Sequence, residues 1–332
     1  MDVRQVRPTD APLVLSLAID ESSHLVNGRD WPRANSLRRT LVRATLPLAL
    51  PGRSWIARDG SSVALLEAQP RQYVIGWDIT RLVVRGDALR VLPPVVDAAT
   101  SHLQTRGVPR LFARCREEAR ERLKALGFQP LACEFVLLGP KGRPAADVSL
   151  PDESRYRMPA DEWPLHQLEH DCTPPLVRQF EGLTSLTWSR KDDNVSEIVV
   201  ERDGRIAAWI GWGARVGPGQ LQLGMLIHPR YKDLASVLLH HALRRMPLDH
   251  RFIARVRDYQ CEAFRALLDA GFEIAAEEIL MLKHATVEPV RAAKRRMRVA
   301  SVPSIQALPI RLGPPARGLR PATTPTPVYE DD

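Results

Sequence analysis

The 332-residue chain repeats its own pattern at an interval of about 144 positions. The sequence Arg-Asp-Gly at residues 58–60 returns at 202–204, and Ala-Arg-Cys-Arg at 113–116 returns as Ala-Arg-Val-Arg at 254–257. Solenoid repeats have periods of roughly 20 to 50 residues, so this interval excludes a solenoid. We therefore expect two copies of one domain, each of which buries its own core.

Length and composition agree with two globular domains. A chain of this size holds about two domains of ordinary length. The residues are 44% hydrophobic and 26% charged, and no apolar run approaches the roughly 18 residues of a membrane span. The first residues lack a basic-then-apolar export signal, so we expect a cytoplasmic protein without a membrane partner.

The charge distribution and the candidate metal ligands argue against two classes of function, nucleic-acid binding and metal binding. The formal net charge is +8, but arginines are scattered among carboxylates in every segment, which argues against a nucleic-acid surface and is compatible with a polyanionic small ligand. The four cysteines are dispersed without a Cys-x-x-Cys pair. His166 and His170 have a chelating i, i+4 spacing but lack the His-Glu-x-x-His order, so we expect no metal.

Turn signals and hydrophobic periods predict the same order of elements, βαββαβαβ, in both copies. A stretch rich in Gly and Pro after residue 138 interrupts both the helical and the strand periodicity of the apolar residues. We therefore assign residues 1–139 to a first domain, 140–154 to a linker and 155–285 to a second domain. Residues 286–332 are basic and rich in proline, and we expect them to be a disordered tail.

The end of each copy carries a recognisable pattern. In the second copy it reads Gln260-x-x-Ala-x-x-Ala-Leu267-x-x-x-Gly-Phe, and the first copy matches at the same spacing with Arg116 in the first position. This resembles the GNAT superfamily of acyl-CoA N-acyltransferases, whose ending looks like N-x-x-A-x-x-L-Y-x-x-x-G-F. The resemblance covers about 280 residues over the two copies.

The resemblance implies an α/β (α+β) fold of two tandem GNAT-like domains. Each would be a mixed, splayed, mostly antiparallel sheet flanked by helices. Two neighbouring parallel strands part and leave backbone groups that bind the pantetheine arm of acyl-CoA like an added strand. The parting strands would be residues 73–84 with 110–113, and 221–227 with 252–256. The pyrophosphate would lie at the start of the following helix.

The resemblance implies acetyl-CoA or another acyl-CoA as the cosubstrate, bound by the second copy. Residues 227–232 look like the family sequence V-H-P-x-Y-R, but Asp233 and its neighbours replace the glycines that follow. A carboxylate there opposes phosphate binding by charge repulsion. The implied cofactor-binding residues are Leu226, Ile227, His228, Lys232, Asp233, Leu234, Ala235, Ser236 and Gln260.

Catalytic groups are sparse in both copies. The tyrosine with which the family often protonates the departing thiolate falls at Leu123 and Leu267, so neither copy has it. Asp78 and His228 are the candidates for a general base. Acyl transfer can also proceed by holding thioester and amine in attack geometry, so the missing groups do not exclude an enzyme.

Two functions remain open at this point. One is an N-acyltransferase that moves an acetyl or acyl group from acyl-CoA to the amine of a small molecule or peptide. The alternative is a non-catalytic tandem GNAT-like binding or regulatory module. The polar stretches 29–43 and 173–191 stand where the family builds its acceptor site, and their arginines indicate an acidic acceptor. The oligomeric state is open, and the halves either pack as a pseudo-dimer or lie apart.

Overall fold

The computed structural model describes residues 1–19, 24–27, 52–71, 76–140, 149–189, 195–247 and 249–284. The chain divides into two units, Met1–Val290 and Arg291–Asp332. All described residues lie in the first unit. The predicted disordered tail, most of the predicted linker and the polar stretch 29–43 lie outside them.

The first half of the chain folds in the predicted order, with two additional strands between its first and second helices. Its elements are β1 (Asp2–Gln5), α1 (Ala11–Ile19), β2 (His24–Asn27), β3 (Arg53–Asp59), β4 (Ser62–Pro70), β5 (Trp77–Arg85), α2 (Ala88–Thr105), β6 (Arg110–Cys115), α3 (Glu117–Ala125) and β7 (Gln129–Leu138).

Among its described residues the second half repeats this order without an equivalent of β2 and with an additional short helix after its first one. Its elements are β8 (Ser154–Tyr156), α4 (Glu162–Cys172), α5 (Pro175–Glu181), β9 (Ser196–Arg202), β10 (Arg205–Gly217), β11 (Gln220–Ile227), α6 (Leu234–Arg245), β12 (Arg251–Arg257), α7 (Cys261–Asp269) and β13 (Glu273–His284). The turn between β9 and β10 has positive φ at Asp203 (53°) and Gly204 (71°), which suits the twist of a tight hairpin.

A local ion pair at the start of each half repeats as well. Arg4 donates two hydrogen bonds to Asp10, at 2.5 and 2.8 Å, and Arg155 donates two to Asp161, both at 2.7 Å. Each aspartate lies in a short 3₁₀ turn and also accepts a backbone N–H at the beginning of that turn. The shared sequence Arg-x-x-x-Pro-x-Asp is therefore a further repeat, and it positions the first helix of each half.

One sheet runs through both halves. Its strand order is β1-β3-β4-β5-β6-β13-β7-β12-β11-β10-β9-β8, and β2 pairs with β5 beside this path. Strand β13 lies between β6 and β7, and β7 also pairs with β12. The last strand of each half therefore belongs to the sheet of the other half. The boundaries at residues 139 and 155 stay predictions, but the hydrogen bonding of the sheet crosses them.

The strand exchange corrects the expectation that each copy buries only its own core. The core under α2 and α3 includes Ile279 and Met281 from β13. The core under α6 and α7 includes Leu137 from β7. Each half thus completes the core of the other, because their last strands cross over. None of the helices in the described part of the chain is long and apolar enough to cross a membrane.

Removal of β13 is expected to unfold both halves. Residues 279–282 are each under 5% exposed, and burial of a large apolar side chain contributes about 1.5–3 kcal/mol. Their sum approaches the whole free energy of unfolding of an ordinary domain, about 5–15 kcal/mol. A chain that ends at residue 272 should therefore show no cooperative transition in urea followed by circular dichroism. A chain that ends at residue 284 is the matched control and should unfold like the full-length protein. Cooperative unfolding of the shorter chain would contradict the exchange.

Candidate functional site

Each half has a pair of parallel strands that part, and these are the strands that the sequence predicts. Strands β5 and β6 pair at Trp77 with Leu111 and at Asp78 with Phe112, and then separate. Strands β11 and β12 pair through residues 220–223 and 251–254, and then separate. The predicted splay is confirmed in both halves. We call the two gaps the first wedge and the second wedge.

The first wedge is filled by β2, a segment of the same chain. This strand pairs antiparallel with residues 81–83 of β5, directly beyond the point where β5 leaves β6, and it also lies against β6. Val26 of β2 is 1% exposed and packs in the core that contains Leu111 and Ala113. The backbone groups of β5 that would receive an extended ligand are therefore hydrogen-bonded to the protein itself.

The helix start beside the first wedge is occupied too. The Asp87 carboxylate accepts a hydrogen bond of 3.0 Å from the backbone N–H of Leu89 and so caps α2. The backbone N–H of Asp87 donates to the Ser62 hydroxyl at 2.9 Å. A helix start binds anions through its free N–H groups and its dipole. Here a carboxylate of the chain takes that place.

The second wedge contains no strand of the described chain. A cavity of about 10 Å³ remains, lined by Leu226, Ile227, Tyr259 and Gln260 among others, and it has room for about one water molecule. The Cys172 thiol at the end of α4 donates a hydrogen bond of 3.3 Å to the carbonyl oxygen of Ile227. Burial, and then the charge of Asp171, raises the pKa of Cys172 to about 12, so this group stays a thiol. A ligand would have to displace one side chain from this wedge.

No carboxylate of the described chain caps the helix start beside the second wedge. Asp233 precedes α6 but makes no capping bond within the described chain. Its carboxylate is 3.0 Å from the Arg202 guanidinium on β9. The repulsion expected between Asp233 and a phosphate is therefore offset by a paired arginine. In the first turn of α6 the backbone N–H of Ala235 donates a hydrogen bond of 3.2 Å to the carbonyl oxygen of Lys232, and the dipole of the helix favours an anion at this end.

A second cavity lies between the starts of α6 and α7. Its volume is about 270 Å³, and Lys232, Ser236, Cys261 and Arg265 are among its lining residues. The lining also includes the carboxylates of Glu262 and Asp269, so a phosphate group here would depend on Lys232, Arg265 and the helix start for its binding. The predicted residues thus fall into two sets, with Leu226, Ile227 and Gln260 at the second wedge and Lys232, Ala235 and Ser236 at this cavity.

Two predicted residues, Leu234 and His228, have other surroundings. Leu234 is 1% exposed and packs in the core, so its backbone alone could face a ligand. The His228 ring accepts a hydrogen bond of 3.2 Å from the backbone N–H of Arg230 and faces an open cleft of about 990 Å³ on the α4 side. Gln260 accepts a 3.0 Å hydrogen bond from the backbone N–H of Arg257 through its side-chain oxygen. The role of His228 as a base stays a prediction.

A cluster of eight buried or half-buried charged side chains connects the two wedges. We call it the junction cluster, and its members are Arg71, Asp78, Arg114, Glu134, Glu181, Arg255, Arg257 and Glu278. At its centre Glu134 of β7 lies directly opposite Glu278 of β13. Opposed carboxylates repel. Arg114 (2.6 Å) and Arg255 (2.5 Å) each bond one of them and remove the repulsion.

The arginines keep Glu134 ionised in the interior. Burial by itself would raise the pKa of Glu134, but the charges of Arg114 and Arg257 outweigh it and hold the pKa well below its usual range. Asp78, the other candidate base, accepts from Arg71 at 3.2 Å and from Arg114 at 3.5 Å. Both of its oxygens are engaged by guanidinium groups. Its role as a base stays a prediction.

Sequence reasoning missed Tyr259. Its hydroxyl is 2.8 Å from the Arg257 guanidinium, and the residue lines the second wedge. Burial is the main cause that raises the pKa of Tyr259, so the phenol stays protonated. Leu123 and Leu267, which stand where the family has its tyrosine, are buried in the cores. A tyrosine directly before the Gln260 pattern was the available signal.

Comparisons with known proteins agree with this geometry. No protein-family model and no curated protein sequence matches the chain. Among the solved structures that resemble it in fold are three proteins from different sources. A GCN5-related N-acetyltransferase from Sphaerobacter thermophilus has a TM-score of 0.55 at 20% identity and covers 86% of this chain and 95% of its own. A tandem GNAT protein from the clavulanic acid biosynthesis pathway has a TM-score of 0.51 at 14% identity, with 86% and 98% covered. A Drosophila protein has a TM-score of 0.50 at 14% identity, with 86% and 99% covered.

These likenesses define the class of fold. A splayed sheet in each half, with a helix start beside each wedge, is the arrangement that the sequence resemblance implies. The chain has the GNAT fold in two tandem copies. The resemblance stated from the sequence is therefore confirmed at the level of the fold.

Proposed function

We propose that the protein is an N-acyltransferase whose second half binds acyl-CoA and transfers the acyl group to an amine of a small molecule or peptide. The observation that carries the proposal is the difference between the halves. In the first, β2 and Asp87 occupy the places of the pantetheine arm and the pyrophosphate. In the second, no strand of the described chain lies in the wedge and no carboxylate of the described chain caps the helix start.

Different residues of the second half would bind acyl-CoA and donate the proton that the reaction requires. Backbone groups of residues 224–227 would hold the arm of acyl-CoA, and Lys232 and Arg265 would pair with its phosphates. In the reaction a bond forms between the amine nitrogen and the acyl carbon, the carbon–sulfur bond breaks, the nitrogen releases a proton to solvent, and the departing thiolate takes up a proton. Tyr259 lines the wedge as a protonated phenol and is the proposed donor of that proton.

Substitutions of Cys172 test the wedge. Cys172→Ala removes the thiol from the carbonyl of Ile227 and should leave acetyl-CoA binding within about threefold of the wild type. Cys172→Trp fills the wedge and should abolish binding. The measurement is the rise in melting temperature with acetyl-CoA. If the tryptophan variant folds and binds acetyl-CoA as the wild type does, the ligand does not use this wedge.

A non-catalytic tandem module is the second candidate. It is favoured by the small size of the second wedge, about 10 Å³, and by the lost glycines at the start of α6. Release of free thiol from acetyl-CoA in the presence of a panel of amines separates the two candidates. An acyltransferase releases thiol in an amine-dependent manner. A module that binds acetyl-CoA without this release is non-catalytic.

A further inference from the structure

One carboxylate of the junction cluster comes from a short surface helix rather than from the sheet. Glu181 is the last residue of α5, and it is 4% exposed. It accepts two hydrogen bonds from Arg257 of the second half, at 2.5 and 2.8 Å, and one from Arg71 of the first half at 3.2 Å. Two arginines, one from each half, therefore converge on a single carboxylate.

Arg71 has a donor that Glu181 does not use. Its side chain is 5% exposed, and its guanidinium lies 4.0 Å above the Phe112 ring. The Nη1 atom is buried and has no hydrogen-bond partner among the described residues. A buried donor without an acceptor is costly, so an oxygen from outside the described residues fits this position. The site can therefore bind an oxyanion with more contacts than Glu181 makes.

The charge balance of the junction cluster sets the charge of that group. The cluster has four arginines and four carboxylates. Withdrawal of Glu181 leaves one positive charge in excess in a buried site, which is unfavourable unless an anion replaces it. Burial would raise the pKa of Glu181, but Arg257 and Arg71 lower it to about 2, so the resident group is an anion. The replacement is then a group with a single negative charge.

Helix α5 is built so that Glu181 can be exchanged. It has seven residues, starts at Pro175 and ends before Gly182, which has a left-handed backbone (φ 62°). A helix this short has little stability of its own. Leu176 is 57% exposed, while Val177 and Glu181 are the buried residues of the helix. Arg257 ends β12, one of the two strands that form the second wedge, and it bonds the hydroxyl of Tyr259, which lines that wedge. The site of Glu181 therefore adjoins the second wedge.

We propose that Arg71 and Arg257 bind the carboxylate of a carboxylate-bearing amine, which is the acceptor, and that Glu181 occupies their site while the acceptor is absent. An arginine guanidinium can donate two parallel hydrogen bonds to a carboxylate, and two guanidinium groups together bind it tightly. The identification of the bound amine as the acyl acceptor rests on the proposed function, whereas the binding of a carboxylate at this site does not. The substrate class that follows is an amine with a free carboxylate.

The first experiment tests the oxyanion site with the simplest probe. Full-length Glu181→Ala should bind acetate at least about tenfold more tightly than acetamide in calorimetry, because the vacated arginines select charge. Adding Arg71→Gln should abolish this binding. Glu197→Ala is the matched control, since it vacates a carboxylate from Arg157 away from the junction cluster, and it should show no preference for acetate that depends on Arg71. Equal affinity of Glu181→Ala for acetate and acetamide would overturn the proposal.

The second experiment asks whether a ligand displaces Glu181 in the wild type. Hydrogen exchange in residues 175–181 should become at least about tenfold faster with 4-aminobutyrate and stay unchanged with its neutral amide. A purely structural Glu181 would not respond, and unchanged exchange with 4-aminobutyrate overturns the proposal even if Glu181→Ala fails to fold. If acetyl-CoA binds but α5 does not open, this proposal fails and the proposed function stands. If α5 opens but acetyl-CoA does not bind, the carboxylate site stands and the proposed function fails.

Discussion

Replacement of Arg114 by leucine is expected to destabilise the folded protein by about 3–5 kcal/mol. Arg114 is 2% exposed and pairs with Glu134 at the centre of the sheet and with Asp78 at the first wedge. The substitution removes one guanidinium and leaves two buried carboxylates with fewer partners. The measurement is the free energy of unfolding from urea titration followed by circular dichroism.

Two further variants make this prediction specific to the junction cluster. Arg120→Leu removes an arginine that pairs with Glu117 one helical turn away at the surface, so it should change the free energy of unfolding far less than Arg114→Leu does. The double variant Arg114→Leu with Glu134→Leu should be more stable than Arg114→Leu alone, because it removes a carboxylate that the single change leaves short of partners. An Arg114→Leu cost no larger than that of Arg120→Leu would show that the cluster is not structural.

Replacement of both basic residues of the cavity between α6 and α7 by glutamate is expected to weaken acetyl-CoA binding by about 100-fold or more. The variant is Lys232→Glu with Arg265→Glu, and it places two carboxylates where the phosphates are proposed to bind. Both residues lie at the surface of the cavity, so the fold should be unaffected. Calorimetry with acetyl-CoA gives the dissociation constant directly.

The first half supplies the matched control for that variant. Arg90 lies in the first turn of α2 and is 67% exposed, next to the Asp87 carboxylate. Arg90→Glu should leave acetyl-CoA binding unchanged, because β2 and Asp87 already fill the first half. A loss of affinity comparable to that of the double reversal would mean that the first half is the binding site.

The local elements were predictable from the sequence, and the connections between the halves were not. Hairpins at the Asp-Gly turns, helix ends and the parting strands follow from short-range periods and turn residues. The exchange of β7 and β13 has no such signal, because the two strands are copies of each other and either arrangement buries the same apolar faces. Strand β2 was missed because four residues are too few to show a period.

The candidate site was predictable to a similar extent. The family-like pattern locates Leu226, Ile227 and Gln260, which the structure brings to the second wedge. The pairing of Asp233 with Arg202 was not foreseen, and the sequence alone made Asp233 an obstacle to phosphate binding. The convergence of Arg71 and Glu181 depends on contacts between the two halves, which no local pattern records.

The number of acetyl-CoA molecules bound by one full-length chain tests the account most directly. Native mass spectrometry at saturating acetyl-CoA should show one molecule per chain, because a strand of the protein fills the first wedge, whereas only side chains that a ligand can displace lie in the second. Two molecules per chain would show that β2 does not block the first wedge, and none would show that the second wedge does not accept the cosubstrate.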